Sequence, residues 1–174
     1  AGFVAGLFGA LIYLFPFFSG AIADRLGFRS SLMLAFGLLA LGYAALGLVS
    51  TFWPVMGALL LVVIGGSFVK PVITGTASRS SNEANRARAF SIFYMMVNVG
   101  GFVGPLVSGI LRAPDPVTGI SKWDRMFTAS AIFIAVNFIW VVFFYKEPTT
   151  ESQSATTRTV GKVLREAMEV LGNV

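Results

Sequence analysis

Long apolar runs alternate with short polar segments along the chain. Each run is about 20 residues long, which is the length of helix that crosses a hydrocarbon layer roughly 30 Å thick. Each run also holds Gly or Pro in its interior, which bilayer helices tolerate better than soluble helices do. The pattern predicts five membrane-spanning helices, over residues 2–22, 31–50, 53–76, 89–111 and 126–145.

The composition supports a membrane protein. Hydrophobic residues make up 56% of the 174 residues and charged residues only 12%, and the mean hydropathy is +0.79. A soluble domain does not need that much apolar surface. The first run has no basic leader and no cleavage-site pattern before it, so we do not interpret it as a signal peptide. The predicted fold class is an all-α integral membrane protein, a multi-span helical bundle.

Missing residue types limit the chemistry. The chain has no cysteine and no histidine, so the usual metal ligands and proton-transfer groups are absent. We therefore expect no metal site and no cofactor. The predicted spans also hold no acid pair, which argues against an integral membrane enzyme. The net charge of +5 comes from basic residues scattered among short segments, so we do not expect nucleic-acid binding.

Lysine and arginine are distributed unequally between the polar segments. Nine of the 13 lie in the segments 23–30 and 77–88 and in the tail after residue 145, whereas three lie in segment 112–125. The positive-inside rule places the first group in the cytoplasm. We expect the protein to lie in the plasma (inner) membrane. Residue 1 would then lie outside, so we expect at least one further helix upstream. A complete five-span protein is the alternative.

The stretch SGAIADRLGFRSS joins the first two predicted spans and carries regularly spaced glycines and charges. Glycines allow a tight turn, the acid can lie near the N-terminus of a neighbouring helix, and the arginines can pair with acids across an interface. The stretch resembles the GxxxDRxGxR pattern of the major facilitator superfamily, which implies a cytoplasmic gating motif. A solvated charged turn is the alternative. The motif residues are Gly20, Asp24, Arg25, Gly27 and Arg29.

Two further stretches, LIYLFPFFSGAIAD and ARAFSIFYMMVNVGGF, are similar to the proton-dependent oligopeptide transporter family. That family has a Tyr-Leu-x-Pro run on its second helix, Gly-Gly and Lys-Pro on its fourth, and a Phe-Tyr-Asn-Gly signature on its fifth. The resemblance implies that the five spans are helices two to six of a twelve-helix transporter, a partial N-terminal half of a major facilitator fold lacking its first helix. The matching residues are Tyr13, Leu14, Pro16, Gly65, Gly66, Lys70, Pro71, Phe93, Tyr94, Asn98 and Gly100.

Lys70 is an ionisable side chain inside a predicted span. Such a side chain costs several kcal/mol unless it faces a cavity or a partner, and none of the eight acids falls within a predicted span. In the resembled family the matching lysine pairs with a glutamate-rich motif on the first helix. The resemblance therefore implies that Lys70 binds a substrate carboxylate and that its partner lies on the missing helix. The alternative is an ammonium that snorkels to the cytoplasmic surface.

Helical geometry groups the other polar side chains. Tyr94 and Asn98 are four residues apart and share a helix face, while Gly100, Gly104 and Ser108 lie about 200° to 280° around from Asn98. We expect the first face to line a cavity and the second, a stripe of small residues, to pack against another helix. The alternative interpretation of Tyr13 and Tyr94 is that their rings pack against other helices and bind no solute. The predicted substrate-binding residues are Lys70, Tyr13, Tyr94 and Asn98.

The predicted function is part of a secondary active transporter that takes up small peptides or related solutes with protons, by alternating access. Its partners would be the solute, protons, the lipid bilayer, the missing first helix and the C-terminal half. The stretch GGFVGPLVSG resembles a motif of drug/proton antiporters, so an antiporter of the same superfamily is one alternative; a non-transporting membrane scaffold or truncated product is another. We expect a five-span region over 1–147 and a cytoplasmic linker with an amphipathic helix over 148–174.

Overall fold

The computed structural model describes residues 2–148, which form five long helices. All five are long and apolar enough to cross a membrane, which confirms the predicted all-α, multi-span fold. The tail from residue 149 onward, with its predicted amphipathic helix, lies outside the described residues. The helices are α1 (Gly2–Leu26), α2 (Phe28–Leu48), α3 (Phe52–Arg79), α4 (Arg86–Leu111) and α5 (Trp123–Phe144).

The helices extend beyond the apolar runs at their charged ends. We expected loops over 23–30 and 77–88, but α1 continues to Leu26 and α2 begins at Phe28, so segment 23–30 is almost entirely helical. In segment 77–88, residues 77–79 and 86–88 are helical and residues 80–85 form the loop. The hydrogen bonds within a helix form in water as well as in lipid, so a helix does not have to end where its side chains become polar. The chain turns at Gly27, whose φ of 84° lies in the left-handed region that glycine adopts readily.

Helix α2 is the centre of the bundle and packs mainly against α3 and α5. Glycines let α2 and α3 approach closely: a Cβ on Gly65 would lie 2.8 Å from the carbonyl oxygen of Ala35, and one on Gly42 would lie 2.7 Å from a methyl group of Val62. Small residues are typical of such contacts, since lipid supplies no hydrophobic drive and close packing replaces it. In contrast, α4 has no buried residue within the described part of the chain.

A proline in α3 is compensated by α1. Pro71 has no N–H, so the carbonyl group of Ser67, one turn earlier, loses its helical partner. The hydroxyl group of Ser19 on α1 donates to that carbonyl at 2.7 Å, and both serines are buried. Next to this bond, a Cβ on Gly20 would lie 3.7 Å from Pro71. The bond satisfies a backbone group that lipid could not satisfy and joins α1 to α3.

Three polar segments meet at one end of the bundle, which we term the Asp24 end. Asp24 of α1 pairs with Arg79 of α3, and Glu147, which follows α5, accepts a hydrogen bond from the backbone of Phe28 at the start of α2. The α2–α3 turn and the α4–α5 connection lie at the opposite end. The segments with most lysine and arginine therefore share one end of the bundle; that this end faces the cytoplasm stays a prediction.

The α4–α5 loop, residues 112–122, is ordered by Asp115. One carboxylate oxygen of Asp115 accepts the backbone N–H groups of Val117 and Thr118 at 2.9 and 3.3 Å. The other carboxylate oxygen lies 2.9 Å from the ammonium group of Lys122. The Lys122 ammonium and the two N–H donors lower the pKa of Asp115 from its usual value of 3.8, because each of them stabilises the carboxylate.

Asp115→Ala is expected to accelerate hydrogen exchange at the Val117 and Thr118 amides, because both lose their acceptor. Asp115→Asn, the matched control, keeps an oxygen acceptor and loses only the charge, so its effect should be smaller.

Since the pKa of Asp115 is lowered, its carboxylate stabilises the loop above pH 3.8, and this contribution is lost as the pH falls through the lower pKa of the folded loop. Exchange measured by mass spectrometry and corrected for intrinsic rates should therefore show constant protection between about pH 5 and 8. Protection that falls within that range would contradict the assignment.

Candidate functional site

The four predicted substrate-binding side chains lie on three helices, with Tyr13 on α1, Lys70 on α3, and Tyr94 and Asn98 on α4. All four are exposed; the exposed fraction is 85% for Tyr13 and 55% for Tyr94. The two ion pairs found in residues 2–148 do not involve Lys70. Within residues 2–148 no hydrogen bond or ion pair joins these four side chains to one another.

The four side chains lie at similar depths. Counted from the Asp24 end of its own helix, Lys70 is nine residues in, Tyr94 eight, Asn98 twelve and Tyr13 thirteen. At 1.5 Å per residue these positions are roughly 12 to 20 Å deep, in helices that are roughly 37 to 42 Å long. All four groups therefore lie far from both ends of the bundle.

Lys70 projects from the side of α3 that faces away from α2. Phe68 and Val72 are 5% and 0% exposed and belong to the core that α3 shares with α2. They lie about 160° to 200° around the helix from Lys70. The Thr74 hydroxyl group donates to the carbonyl oxygen of Lys70 at 2.9 Å. The backbone at Lys70 is thus well anchored, while its ammonium group points to a side that the described helices leave open.

A cavity of about 460 Å³ lies between α4 and α5, on the side of α4 that points away from Tyr94 and Asn98. Gly100 and Gly104 line this cavity, and a Cβ on either would meet nothing within 4 Å. The close helix contact that we expected for this small-residue stripe is therefore absent among the described helices. A stripe of small residues permits close approach but does not select a partner, and α5, which contributes Ala129, Ser130 and Phe133 to the cavity wall, leaves open space at this position.

Asp24 belongs to a contact that joins α1, α2 and α3. Its carboxylate lies 2.8 Å from the guanidinium group of Arg79. The same guanidinium lies over the ring of Phe28, 4.0 Å from the ring centroid. The Phe28 ring also fills the space beside Gly75, where an added Cβ would lie only 2.6 Å from it. Helix α2 therefore begins with a ring that is held between a glycine and a guanidinium group of α3.

Gly27 and Glu147 form a second contact at the same end. The Glu147 carboxylate accepts the backbone N–H of Phe28, the first residue of α2, and so caps a helix that has no side-chain cap of its own. A Cβ on Gly27 would lie 3.0 Å from both carboxylate oxygens. Sequence reasoning missed Glu147 and Arg79 as partners. Glu147 lies 119 residues from the N–H that it caps, and no local pattern indicates such a cap.

The motif arginines Arg25 and Arg29 make no ion pair within residues 2–148, so the pairing with acids across an interface stays a prediction. Both side chains are exposed. Arg29 instead donates to the carbonyl oxygen of Val142 at 2.6 Å. This carbonyl lies in the last turn of α5, where helix carbonyls lack an intrahelical partner. Arg29 therefore caps the C-terminal end of α5, whose negative dipole end also favours a cation.

Arg79→Ala is expected to destabilise the protein more than Asp24→Asn does, because Arg79 contributes both an ion pair and a contact with the Phe28 ring. With the two charged side chains 31% and 40% exposed, the ion pair should contribute about 0.2–1 kcal/mol. The ring contact adds about 0.5–1 kcal/mol. Thermal unfolding in detergent micelles measures the difference, and Arg79→Lys, which keeps the charge, is the control. Equal losses in Arg79→Ala and Asp24→Asn would contradict a role for Phe28.

The fold defines a helical membrane protein in which a lysine lies nine residues inside one end of a membrane-spanning helix and charged contacts join three helices at that end. The whole chain, residues 1–174, matches the profile of the Major Facilitator Superfamily, and the chain belongs to that family. A di-/tripeptide transporter of Lactococcus lactis subsp. cremoris is 31% identical over 109 residues, which are 61% of this chain and 22% of that protein. The peptide transporter YePEPT of Yersinia enterocolitica is 32% identical over 117 residues, 64% of this chain and 23% of that protein. The multidrug resistance protein MdtH of Proteus mirabilis is 28% identical over 151 residues, 87% of this chain and 37% of that protein.

The structure is also similar to the crystal structure of tetrameric PepTSo2, with a TM-score of 0.74 and 25% sequence identity. The match covers 96% of this chain and 37% of that chain. These findings confirm the predicted major facilitator fold and the resemblance to oligopeptide transporters. The chain spans between 22% and 37% of the length of the relatives named here.

Proposed function

We propose that this chain is part of a secondary active transporter that carries small peptides or related solutes together with protons, by alternating access. The observation that carries the proposal is Lys70, an exposed cation nine residues inside the Asp24 end of a membrane-spanning helix, with no carboxylate partner among residues 2–148. Such a cation costs several kcal/mol unless it faces a cavity or a partner. The carboxylate of a peptide has the charge and the hydrogen-bonding capacity of such a partner.

In this proposal Lys70 binds the carboxylate of the solute, and Tyr13, Tyr94 and Asn98 line the same cavity. Their phenol and amide groups both donate and accept hydrogen bonds, which suits the amino and peptide groups of a short peptide. In a low-dielectric interior an ammonium group binds a carboxylate strongly, and protonation of a competing acid frees the ammonium. This exchange would couple the movement of the proton to that of the solute.

The remaining walls of the cavity would come from parts of the transporter outside this chain. The five helices would correspond to helices two to six, the first helix would supply the acid that pairs with Lys70, and the C-terminal half would form the opposite wall. Helix α4, which has no buried residue in the described chain, offers a surface for those helices. The Asp24 end would face the cytoplasm from the plasma (inner) membrane. Its gating motif would comprise Gly20, Asp24, Arg25, Gly27 and Arg29.

Uptake of labelled di- and tripeptides by the full-length transporter in proteoliposomes tests the proposal. We expect uptake that depends on an inward proton gradient and is abolished by a protonophore. The same proteoliposomes without a pH gradient are the matched control. Absence of peptide uptake by protein that is correctly folded and inserted would contradict the proposal.

A drug/proton antiporter is the second candidate. Two observations favour it: the similarity to MdtH extends over 87% of this chain, further than the 61% and 64% matched by the two peptide transporters, and the Gly-Pro stretch of α4 is similar to an antiporter motif. The same proteoliposomes distinguish the two, because an antiporter moves its solute against the direction of proton flow and a symporter moves it along that direction. Proton-driven export of a cationic dye without peptide uptake would favour this candidate.

A further inference from the structure

The α4–α5 loop presents large apolar side chains on an ordered backbone. Val117 is 92% exposed and Ile120 is 69% exposed. The loop does not fold these side chains onto the bundle, because the Asp115 hydrogen bonds and a backbone bridge between Pro114 and Ser121 hold it in a short hairpin. Two aliphatic side chains are therefore displayed at this end with nothing in the described chain to cover them.

Arginine side chains lie on both sides of these apolar residues in the sequence, at the two ends of the loop. The guanidinium group of Arg112 lies 5.2 Å from the ring centroid of Trp123, within the range of a cation–π contact. Arg125 lies within one helical turn of Trp123, and both Arg112 and Arg125 are exposed. Whereas Lys122 is paired with Asp115, neither arginine makes an ion pair within the described residues. The loop thus combines exposed aliphatic groups with two guanidinium groups that form no ion pair in this part of the chain, although Arg125 is close enough to Asp115 to help lower the pKa of that carboxyl group.

Both ends of the loop are attached to membrane-spanning helices, which limits where it can lie. Helix α5 begins at Trp123 and has 22 residues, or roughly 33 Å, close to the ~30 Å thickness of the hydrocarbon layer. We therefore place Trp123 at the boundary between hydrocarbon and headgroups, and Arg112 with it, because the Arg112 guanidinium group contacts the Trp123 ring. Tryptophan prefers that boundary because its ring is apolar and its N–H is polar.

We propose that the α4–α5 loop is an interfacial anchor that binds the phosphate groups of anionic phospholipids through Arg112 and Arg125, with Val117 and Ile120 inserted among the upper acyl segments. The arginine fork matches phosphate geometry, and stacking on Trp123 orients the Arg112 guanidinium group at the depth where lipid phosphates lie. The inserted aliphatic side chains gain the burial that the protein itself does not provide. The inference is independent of which solute the transporter carries.

Tryptophan quenching in the full-length transporter tests this anchor. The chain has three tryptophans. Trp53→Phe and Trp140→Phe leave Trp123 as the single fluorescent reporter of this chain. Any tryptophan elsewhere in the transporter is replaced as well. The protein is reconstituted with dibrominated phosphatidylglycerol or, at the same mole fraction, dibrominated phosphatidylcholine. From the quenching of Trp123, we expect phosphatidylglycerol to bind roughly fivefold more tightly than phosphatidylcholine. This preference is equivalent to the contribution of one well-placed basic residue. Arg112→Gln combined with Arg125→Gln should remove this preference.

A matched control is available at the same end of the bundle. A version that retains only Trp53, which is 80% exposed at the start of α3, should be quenched equally by both brominated lipids, since Trp53 has no arginine or lysine over its ring in the described residues. Equal quenching of Trp123 by the two lipids would overturn the phosphate site.

The inserted side chains are tested with acrylamide, a neutral aqueous quencher. Val117→Ser combined with Ile120→Ser should at least double the acrylamide quenching of Trp123, while far-UV circular dichroism stays unchanged. If acrylamide quenches Trp123 in the native loop as strongly as in the unfolded protein, and brominated lipids do not quench it, the loop lies in water and its apolar tip serves a protein partner. That result would overturn the anchor.

Discussion

Lys70→Ala in the full-length transporter is expected to lose proton-driven peptide uptake. Removal of the charge-assisted bonds between the ammonium group and the peptide carboxylate should lower the uptake efficiency roughly ten- to hundredfold. The packing of residues 2–148 should be unaffected, because the Lys70 side chain is exposed and the ion pairs among these residues do not involve it. Initial rates of uptake as a function of peptide concentration, at equal protein insertion, measure the effect.

Two controls separate the role of Lys70 in binding from a general effect of charge. Lys146→Ala removes an exposed lysine at the Asp24 end and should leave uptake unchanged. A peptide with an amidated C-terminus has no carboxylate for Lys70 to bind, so Lys70→Ala should reduce its uptake much less. Normal uptake and normal proton dependence in Lys70→Ala would show that the proposed role of this lysine is wrong, even if the transporter does carry peptides.

Gly65→Ala is expected to produce a large loss of stability. The added Cβ would lie 2.8 Å from the carbonyl oxygen of Ala35 and 3.0 Å from both the backbone nitrogen and the side chain of Leu39. Two of these three atoms belong to the backbone of α2 and can move only if the helix moves, so the overlap cannot be relieved by a rotamer change. Such overpacking typically costs about 1–3 kcal/mol. Reversible unfolding in mixed micelles of increasing SDS fraction, followed by circular dichroism, measures the loss.

The neighbouring glycine provides the control. A Cβ on Gly66 would have only one neighbour within 4 Å, a methyl group of Leu39 at 3.9 Å, and alanine has the higher helix propensity. Gly66→Ala should therefore leave the free energy of unfolding unchanged or raise it slightly. Similar losses in Gly65→Ala and Gly66→Ala would mean that glycine flexibility, and not the close approach of α2 and α3, explains the effect.

Much of the candidate site could be predicted from the sequence. A charged residue in an apolar run is visible without a structure, so Lys70 could be identified together with its depth. The shared face of Tyr94 and Asn98 follows from helical spacing alone. The packing of the α4 glycines could not be predicted in this way, because a small-residue stripe shows that a helix can approach closely and does not show which helix does so. In the described bundle Gly100 and Gly104 border a cavity.

The sequence by itself determined the number of helices, their approximate length and the end of the bundle at which basic residues collect. These properties follow from the cost of placing polar or charged groups in hydrocarbon, which acts on each segment separately. Only the tertiary structure decided which groups meet: Ser19 with the carbonyl freed by Pro71, and Glu147 with the N-terminus of α2. Such contacts depend on helix crossings and on the space that glycines leave, and both arise only when distant segments pack together.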